Sequence, residues 1–389
     1  MMLDPGSLPV TRHPLDYTLL DAIDYPYQPK DAYFCKATIG CIRKCSFCAV
    51  PILEPRFGLA SSLTGQVKQI QTTAGDKHDL VLLDNNVLGI DGLGEIFAEI
   101  RSLGFASGTK ASGRLRTVDF NQGLDARLVT TEIARMLGSV NVSPVRLAFD
   151  HEGIEKDYRR AIQLLADNGL REFTNYLLFN FVDAPTSLYN RIQVNMDLNH
   201  QLGITIAGFP MRFIPMDDVK RGHVGKKWHW RWLRGMQCVL LATRGIVSPN
   251  PTFVARAFGQ SYEEFLEILS MPDRYIIWRK SYENAGADEW KGLFRKLSNT
   301  DREDFFEVLR ALNKSRNRKR DIESHPRFRE LLEHYYPGGA TARNSPKEAE
   351  LSVQGLATGY DILEPGAIAA GTLPSDSLLT TMPGAVTTK

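Results

Sequence analysis

Residues 40–51 read GCIRKCSFCAVP and place three cysteines, Cys41, Cys45 and Cys48, in a C-x3-C-x2-C spacing, with Phe47 directly before the last one. Three thiolates this close in sequence can bind three corners of a cubane iron–sulfur cluster. A cubane has a fourth iron, and three protein ligands leave that iron open to another molecule. The pattern therefore predicts a [4Fe–4S] cluster that acts as a reaction centre.

Two other readings of these cysteines remain open. A zinc site needs four ligands, and only Cys45 and Cys48 form a C-x2-C pair; Cys35 could supply a further thiolate unless a strand holds its side chain elsewhere. The second alternative is disulfides or inert thiols. No segment resembles a signal peptide, so we expect a cytoplasmic protein, and disulfides are rare in that reducing compartment.

The composition indicates a folded chain with a sizeable core. Of 389 residues, 43% are hydrophobic and 24% are charged, and the formal net charge is +2. That charge is too small to predict a polyanionic partner for the whole surface. No apolar stretch approaches the roughly 20 residues that cross a bilayer, so we expect no membrane partner. The length favours two domains, or one large domain with an appendage.

Short β-rich runs alternate with amphipathic runs between residues 31 and 209. The predicted strands are 31–39, 79–84, 116–120, 145–150, 173–181 and 204–209, and the predicted helices are 62–73, 93–103, 130–137, 154–168 and 186–202. Alternation of this kind predicts an α/β fold with a parallel sheet, either doubly wound or an incomplete barrel. Both place active sites at the carboxyl ends of the strands, and the cysteine run follows the first predicted strand.

The run from residue 40 to 51 resembles the signature of radical S-adenosylmethionine enzymes, in the branch of tRNA methylthiotransferases and cobalamin-dependent radical enzymes. The resemblance implies a partial (β/α)6 TIM-like barrel over residues 31–215, whose open iron binds the amino and carboxylate groups of S-adenosylmethionine. It also implies a low-potential electron donor such as flavodoxin or ferredoxin. The 30 residues that precede the first strand form an N-terminal extension shorter than the additional domains of that branch.

Polar residues at two strand ends are the next candidates. After the second predicted strand come Asp84, Asn85 and Asn86, and the resemblance implies that this strand end accepts hydrogen bonds from the cofactor's ammonium group. The alternative is an Asx-turn that caps the next segment. Asn121 follows the third strand and is a further candidate for cofactor binding. Asp125 and Arg127 either face the barrel mouth with it or form a salt bridge within the loop.

Three candidates lie after the later strands. The resemblance implies a carboxylate for the ribose hydroxyls, and we favour Asp150 over Glu152. Gly208 would allow an adenine ring to approach the last strand closely. Arg212 would pair with the cofactor carboxylate, or be an ordinary surface arginine. With Phe47 of the cysteine run, these residues complete the predicted cofactor site.

We expect residues 216–337 to be mostly helical and residues 338–389 to form a disordered tail. Residues 217–234 carry six Lys or Arg against two Asp, interleaved with tryptophans, and 314–320 carry five basic residues. Such segments suit nucleic acid, although a helix anchored by tryptophans with a solvated basic face is the alternative. Cys238 is expected to be an inert buried thiol. The competing function is a non-catalytic iron–sulfur protein that binds nucleic acid and senses redox state.

Overall fold

The computed structural model describes residues 16–21 and 31–337. The predicted disordered tail and most of the predicted N-terminal extension lie outside these residues. The described chain divides into two compact units. Of the described residues, the first unit contains 16–21, 31–181 and 190–221, and the second contains 182–189 and 222–337.

Six parallel strands build the first unit. They are β1 Ala32–Cys35, β2 Asp79–Leu82, β3 Val118–Phe120, β4 Val145–Ala148, β5 Glu172–Phe179 and β6 Thr205–Arg212. β2 pairs with β1 and β3, and β5 pairs with β4 and β6, all in parallel. The prediction of an α/β fold with parallel sheets is confirmed.

The strand order follows the order of the chain. Two parallel bridges, Val118 with Val142 and Leu124 with Leu147, connect the segments around β3 and β4. A doubly wound sheet would reverse its strand order at a switch point. No such reversal occurs within the described strands, and they do not close into a full barrel.

A helix follows each strand up to β5. These helices are α1 Leu63–Ala74, α2 Leu93–Ile100, α3 Thr131–Gly138, α4 Glu155–Asp167 and α5 Pro185–Leu202. Leu63, Val67 and Ile70 of α1 are buried at helical spacing, as expected for a helix that packs on a sheet. Leu80, Val81 and Leu82 of β2 are all buried, which is typical of a parallel strand with both faces covered. The five predicted helices of this region are confirmed.

The first predicted strand is shorter than expected. β1 ends at Cys35, and the chain resumes as a two-residue strand, Thr38–Ile39, which pairs antiparallel with Gly58–Leu59. The interruption occurs because the side chain of Asp84 accepts the backbone N–H groups of Ala37 and Thr38. The pattern of polar and apolar residues in 31–39 cannot predict this interruption, because the acceptor, Asp84, is distant in the sequence.

The described part of the second unit is helical. Its helices are α6 Trp230–Ala242, α7 Pro251–Phe258, α8 Tyr262–Ser270, α9 Asp273–Ile277, α10 Arg279–Tyr282, α11 Asp288–Arg295, α12 Asn299–Leu312, α13 Arg318–Glu323 and α14 Arg329–Tyr335. Ser298 and Asp301 form a capping box at the start of α12. Across the described ranges, no helix has the length and apolar character needed to cross a membrane.

Candidate functional site

The three cysteines of the motif lie on the loop that follows β1 and the short strand Thr38–Ile39. Sγ of Cys41 accepts the backbone N–H of Arg43 at 3.3 Å, and Sγ of Cys48 accepts that of Val50 at 3.4 Å. N–H groups that point at sulfur stabilise a thiolate and influence the potential of any cluster that it binds. All three cysteines are partly exposed, and the backbone of the loop donates to the sulfurs of Cys41 and Cys48.

The bend before Cys41 depends on Gly40. Its φ of +71° is a conformation that suits glycine, and a Cβ at this position would lie 2.1 Å from the carbonyl oxygen of Arg56. The N–H of Gly40 donates to Oε2 of Glu54 at 2.6 Å. Only glycine fits this close approach of two backbone segments.

Glu54 connects three parts of the site. Its carboxylate accepts hydrogen bonds from the Lys36 ammonium, from the Gly40 N–H and, at 2.8 Å, from Nδ2 of Asn85. Burial by itself would raise the pKa of Glu54, but these donors outweigh it and the pKa is lowered. Sequence reasoning missed Glu54, because a glutamate shortly after the motif has no pattern of its own.

Asp84 holds the segment that leads to the cysteine loop. It is 3% exposed; Oδ2 accepts the Ala37 N–H at 3.1 Å, and Oδ1 accepts the N–H and the hydroxyl of Thr38 at 2.5 and 2.6 Å. Burial raises the pKa of Asp84, although the hydrogen bonds from Thr38 and Ala37 oppose it. In this structure Asp84 therefore positions the segment that precedes the loop. The sequence predicted a role in cofactor binding and not these contacts with Ala37 and Thr38.

Asn86 is next to the first cysteine. Its Nδ2 lies 3.5 Å from Sγ of Cys41 and 3.5 Å from Oδ2 of Asp125. Its Oδ1 is buried and has no hydrogen-bond partner among the described residues. A buried acceptor without a donor costs free energy, which a ligand with an N–H group would recover.

Asp125 anchors two arginines behind the loop. Its carboxylate accepts Nε and Nη2 of Arg127 at 2.6 and 3.0 Å, and Nε of Arg43 at 2.9 Å. Burial raises the pKa of this carboxyl, but the two guanidinium groups reverse the effect and lower it. The salt bridge considered from the sequence is present. Because Arg43 lies between Cys41 and Cys45, its pair with Asp125 also positions the cysteine loop. The sequence did not reveal this role of Arg43.

Asp150 follows β4 and lies within electrostatic range of Cys45. Burial raises the pKa of Asp150 to about 6, against the opposing influence of Arg191 and Arg127. Burial also raises the pKa of Cys45; Arg127 lowers it, and Asp150 raises it. Arg191 donates to the backbone carbonyl of Asp150 at 3.1 Å. A carboxyl with a raised pKa next to a thiol is typical of functional sites.

The other predicted residues occupy separate positions. The ring of Phe47 meets that of Phe181 at 5.6 Å between centroids, just after β5. Asn121 accepts a hydrogen bond from Gln122, and Gly208 lies opposite Asn175 in the β5–β6 pair. Arg212 is at the exposed end of β6, where Nη2 donates to the Arg221 carbonyl at 3.5 Å.

Cys35 is 2% exposed at the end of β1, and burial raises the pKa of its thiol to about 12. A thiol in this environment is a poor metal ligand, because binding requires the thiolate. Within residues 16–21 and 31–337, no three His, Cys, Asp or Glu side chains are grouped as one metal ion would require. A single ion gathers its ligands around one centre, whereas a cubane takes each thiolate on a different iron. The cluster therefore stays a prediction.

The basic, aromatic segment 217–234 enters α6. The helix begins only at Trp230, with His229 as its N-cap, so Trp228 lies before the helix and is 6% exposed. Lys226, Lys227 and Arg234 are exposed. Cys238 is buried, as expected, and burial raises the pKa of its thiol to about 12.

No protein-family model matches the chain, and a search among curated proteins finds no match either.

Proposed function

We propose that this protein is a radical S-adenosylmethionine enzyme whose first unit is a partial (β/α)6 barrel. The observation that carries the proposal is the buried Oδ1 of Asn86, which has no hydrogen-bond partner among the described residues, on an amide whose Nδ2 lies 3.5 Å from Sγ of Cys41. A carboxamide oxygen here is a suitable acceptor for the ammonium group of a methionine moiety. The methionine moiety would bind next to the open iron of a cluster that the three cysteines hold through its other irons.

The residues present fit the cluster. Cys41, Cys45 and Cys48 would hold it, and the N–H groups of Arg43 and Val50 already point at two of the sulfurs. When bound, a [4Fe–4S] cluster with one open iron supplies the electron that cleaves S-adenosylmethionine to methionine and a 5′-deoxyadenosyl radical, which abstracts hydrogen from a substrate.

The side chains of the protein bind and orient S-adenosylmethionine. Asn86 accepts from the ammonium group, and Asp150 accepts from the ribose hydroxyls at the end of β4. Phe47, Phe181 and Phe213, which are all half-buried, form a run of aromatic contacts beside the loop, with centroid distances of 5.6 and 4.7 Å. Strand order that follows chain order supports the partial barrel, since the loops after all six strands then lie at one edge.

Anaerobic reconstitution tests the proposal. With iron, sulfide and a strong reductant, the protein is expected to become brown, to bind four irons per chain and to release 5′-deoxyadenosine from S-adenosylmethionine. Asp150→Ala should retain the iron and lose most of the cleavage. A protein that binds a full cluster but never releases 5′-deoxyadenosine would refute the proposed activity.

That negative result would favour the second candidate, a non-catalytic iron–sulfur protein that binds nucleic acid. The exposed basic residues of 217–234 and 314–320 are the features that support it. The two candidates differ in the strand-end residues, because a redox sensor has no need of Asp150 or of an unpartnered acceptor at Asn86. A low-potential donor such as flavodoxin or ferredoxin and a cytoplasmic location belong to the first candidate.

A further inference from the structure

The second unit contains a cleft with a volume of about 970 Å³. Its walls include five aromatic side chains, namely Trp228, Trp232, Tyr262, Phe294 and Phe306. His229 also lines the cleft and stacks on Phe306 at 4.8 Å between ring centroids. We refer to this site as the aromatic cleft. Its size is within the range of small-ligand sites, and its walls suit a flat, aromatic ligand.

Most of the acidic side chains in the aromatic cleft are already engaged. Glu267 accepts two hydrogen bonds from Arg295, at 2.6 and 2.8 Å. Glu264 accepts the N–H of Gln260 at 2.7 Å, as part of the cap of α8. Hydrogen bonds from its own backbone and from Ser261 lower the pKa of Glu263. Only Glu303, which is exposed, has no such partner among the described residues.

Of the four cationic side chains that line the aromatic cleft, Arg295 pairs with Glu267, whereas Lys226, Lys227 and Arg302 have no carboxylate partner among the described residues. Lys226 and Lys227 are exposed and form no ion pair within the described chain. The guanidinium of Arg302 lies 4.8 Å from the ring centroid of Phe294, and its Nε is buried without a partner in the same residues. Burial lowers the pKa of His229 to about 4, so this ring adds no charge at neutral pH. Lys226, Lys227 and Arg302 are therefore the cationic groups of the aromatic cleft that remain available to pair with an anionic ligand.

We propose that the aromatic cleft binds a nucleoside phosphate. The base stacks on the aromatic wall, and the phosphate pairs with Lys226, Lys227 and Arg302. A purely apolar ligand would leave the buried Nε of Arg302 unpaired, and an inorganic anion would leave the aromatic wall unused. The inference does not rest on the proposed radical chemistry, because all of its residues belong to the second unit.

Calorimetric titration of the full-length protein, without cluster reconstitution, tests this site. We expect adenosine 5′-monophosphate to bind with a Kd below about 1 mM, and adenosine or inorganic phosphate alone at least about tenfold more weakly. Lys226→Gln combined with Lys227→Gln should weaken binding about tenfold, the loss of a charge-assisted hydrogen bond. Arg302→Gln should act similarly. The matched control replaces Lys68 and Lys110, two exposed lysines of the first unit, with glutamine and should leave the Kd unchanged.

A second arm distinguishes a free nucleotide from a nucleotide within a strand. A single-stranded hexanucleotide is titrated into the same proteins. Tighter binding of the hexanucleotide than of the monophosphate, lost in the Lys226 and Lys227 double variant, would assign the site to a nucleic-acid strand. Tighter binding of the monophosphate would assign it to a free nucleotide, and both results support the proposal.

The proposal is overturned if neither probe binds. It is also overturned if binding is the same in the Lys226 and Lys227 double variant as in the Lys68 and Lys110 control, or if adenosine binds as well as its monophosphate. Circular dichroism melting of each variant confirms that a loss of binding is not a loss of fold. Because no iron is present, these results are independent of whether the protein cleaves S-adenosylmethionine.

Discussion

The side-chain amide of Asn86, beyond the end of β2, donates to Sγ of Cys41 at 3.5 Å. This contact joins the second strand end to the cysteine loop that follows the first. The two preceding residues also contact the segment around the cysteine loop. Asn85 donates to Glu54, and Asp84 accepts from Ala37 and Thr38. Three consecutive residues after β2 thus form hydrogen bonds with three places in the segment between Ala37 and Glu54, which contains the cysteine loop.

Asn86→Ala should change the cluster itself. Hydrogen bonds to sulfur raise the reduction potential of an iron–sulfur cluster, so the variant should have a lower potential than the wild type. Affinity for S-adenosylmethionine should fall about tenfold, as expected when one hydrogen bond to a charged group is lost. Spectroelectrochemical titration and equilibrium dialysis measure the two effects. Asn85→Ala is the control, since its amide contacts Glu54 and not a sulfur; an equal drop in potential in both variants would contradict this prediction.

Cys35 should be dispensable for the cluster. Its thiol is buried on β1, and its raised pKa disfavours the thiolate that iron requires. Cys35→Ala is expected to bind as much iron as the wild type, whereas Cys41→Ala, Cys45→Ala and Cys48→Ala should each lose most of it. Iron and sulfide analysis after anaerobic reconstitution measures this, with Cys238→Ala as a second buried-thiol control. Loss of iron in Cys35→Ala alone would indicate a fourth protein ligand and would refute the open cluster.

Gly40→Ala should distort the cysteine loop. The new Cβ would lie 2.1 Å from the Arg56 carbonyl, and the φ of +71° adds strain. We expect a loss of about 2–4 kcal/mol in the free energy of unfolding, together with poor cluster binding. Gly92→Ala is the control, because φ is +78° and ψ is 19° there, and the nearest heavy atoms, which belong to the Glu95 side chain, lie 3.8 Å or more from the added Cβ. This control should lose only about 1 kcal/mol in urea unfolding.

Asp125→Asn should loosen Arg43 and Arg127. We expect the free energy of unfolding at pH 7 to fall by about 1–2 kcal/mol, a value reduced by the partial exposure of both arginines. The pKa of Asp125 is lowered from its usual 3.8, so its contribution is present above about pH 4 and is lost as the pH falls through the folded-state pKa. The difference between variant and wild type should therefore shrink in urea titrations below pH 4.

Asp119→Asn is the control for that prediction. Asp119 forms a similar pair with Arg146, at 2.7 and 2.8 Å, on β3 and β4. It should cost comparable stability and leave iron binding intact, whereas Asp125→Asn should lower the iron content. Equal iron content in the two variants would show that Asp125 does not position the loop.

Asp150→Asn should stabilise the protein in alkaline solution. Because the folded-state pKa of Asp150 is raised to about 6, its carboxylate is disfavoured in the folded state once the pH exceeds that value. The variant should be more stable than the wild type at pH 8 by up to about 3 kcal/mol, and equally stable below about pH 4. Thermal unfolding across this pH range measures the effect.

The Asp150→Asn variant should also lose affinity for S-adenosylmethionine. A neutral amide accepts hydrogen bonds from the ribose hydroxyls less strongly than a carboxylate does. Glu152→Gln is the control: its exposed carboxylate accepts from Asn190 at 2.8 Å, and the change should leave stability within about 0.5 kcal/mol. If Glu152→Gln, and not Asp150→Asn, weakened cofactor binding, the assignment of Asp150 would be wrong.

Periodicity predicted most of the elements in the first unit because it depends only on neighbouring residues. α1 and α3 begin within a residue of their predicted starts, and β2 and β5 begin at or next to theirs. The last strand runs on to Arg212, three residues beyond its predicted end, and the first stops early at Cys35. Both differences arise from partners elsewhere in the chain, namely β5 for the one and Asp84 for the other.

The amino-acid sequence by itself determined the strand–helix alternation, the position of the three cysteines after a strand, and the polar residues at the strand ends, since each is a local pattern. Only the tertiary structure decided what those polar residues contact. Asp84 binds the backbone of Ala37 and Thr38, Asp125 binds Arg43 from 82 residues away, and Glu54 links Gly40 to Asn85. Parallel strands bring residues that are far apart in the sequence to one edge of the sheet. Which side chains pair there depends on their burial and their distance in space, and local sequence spacing does not encode either quantity.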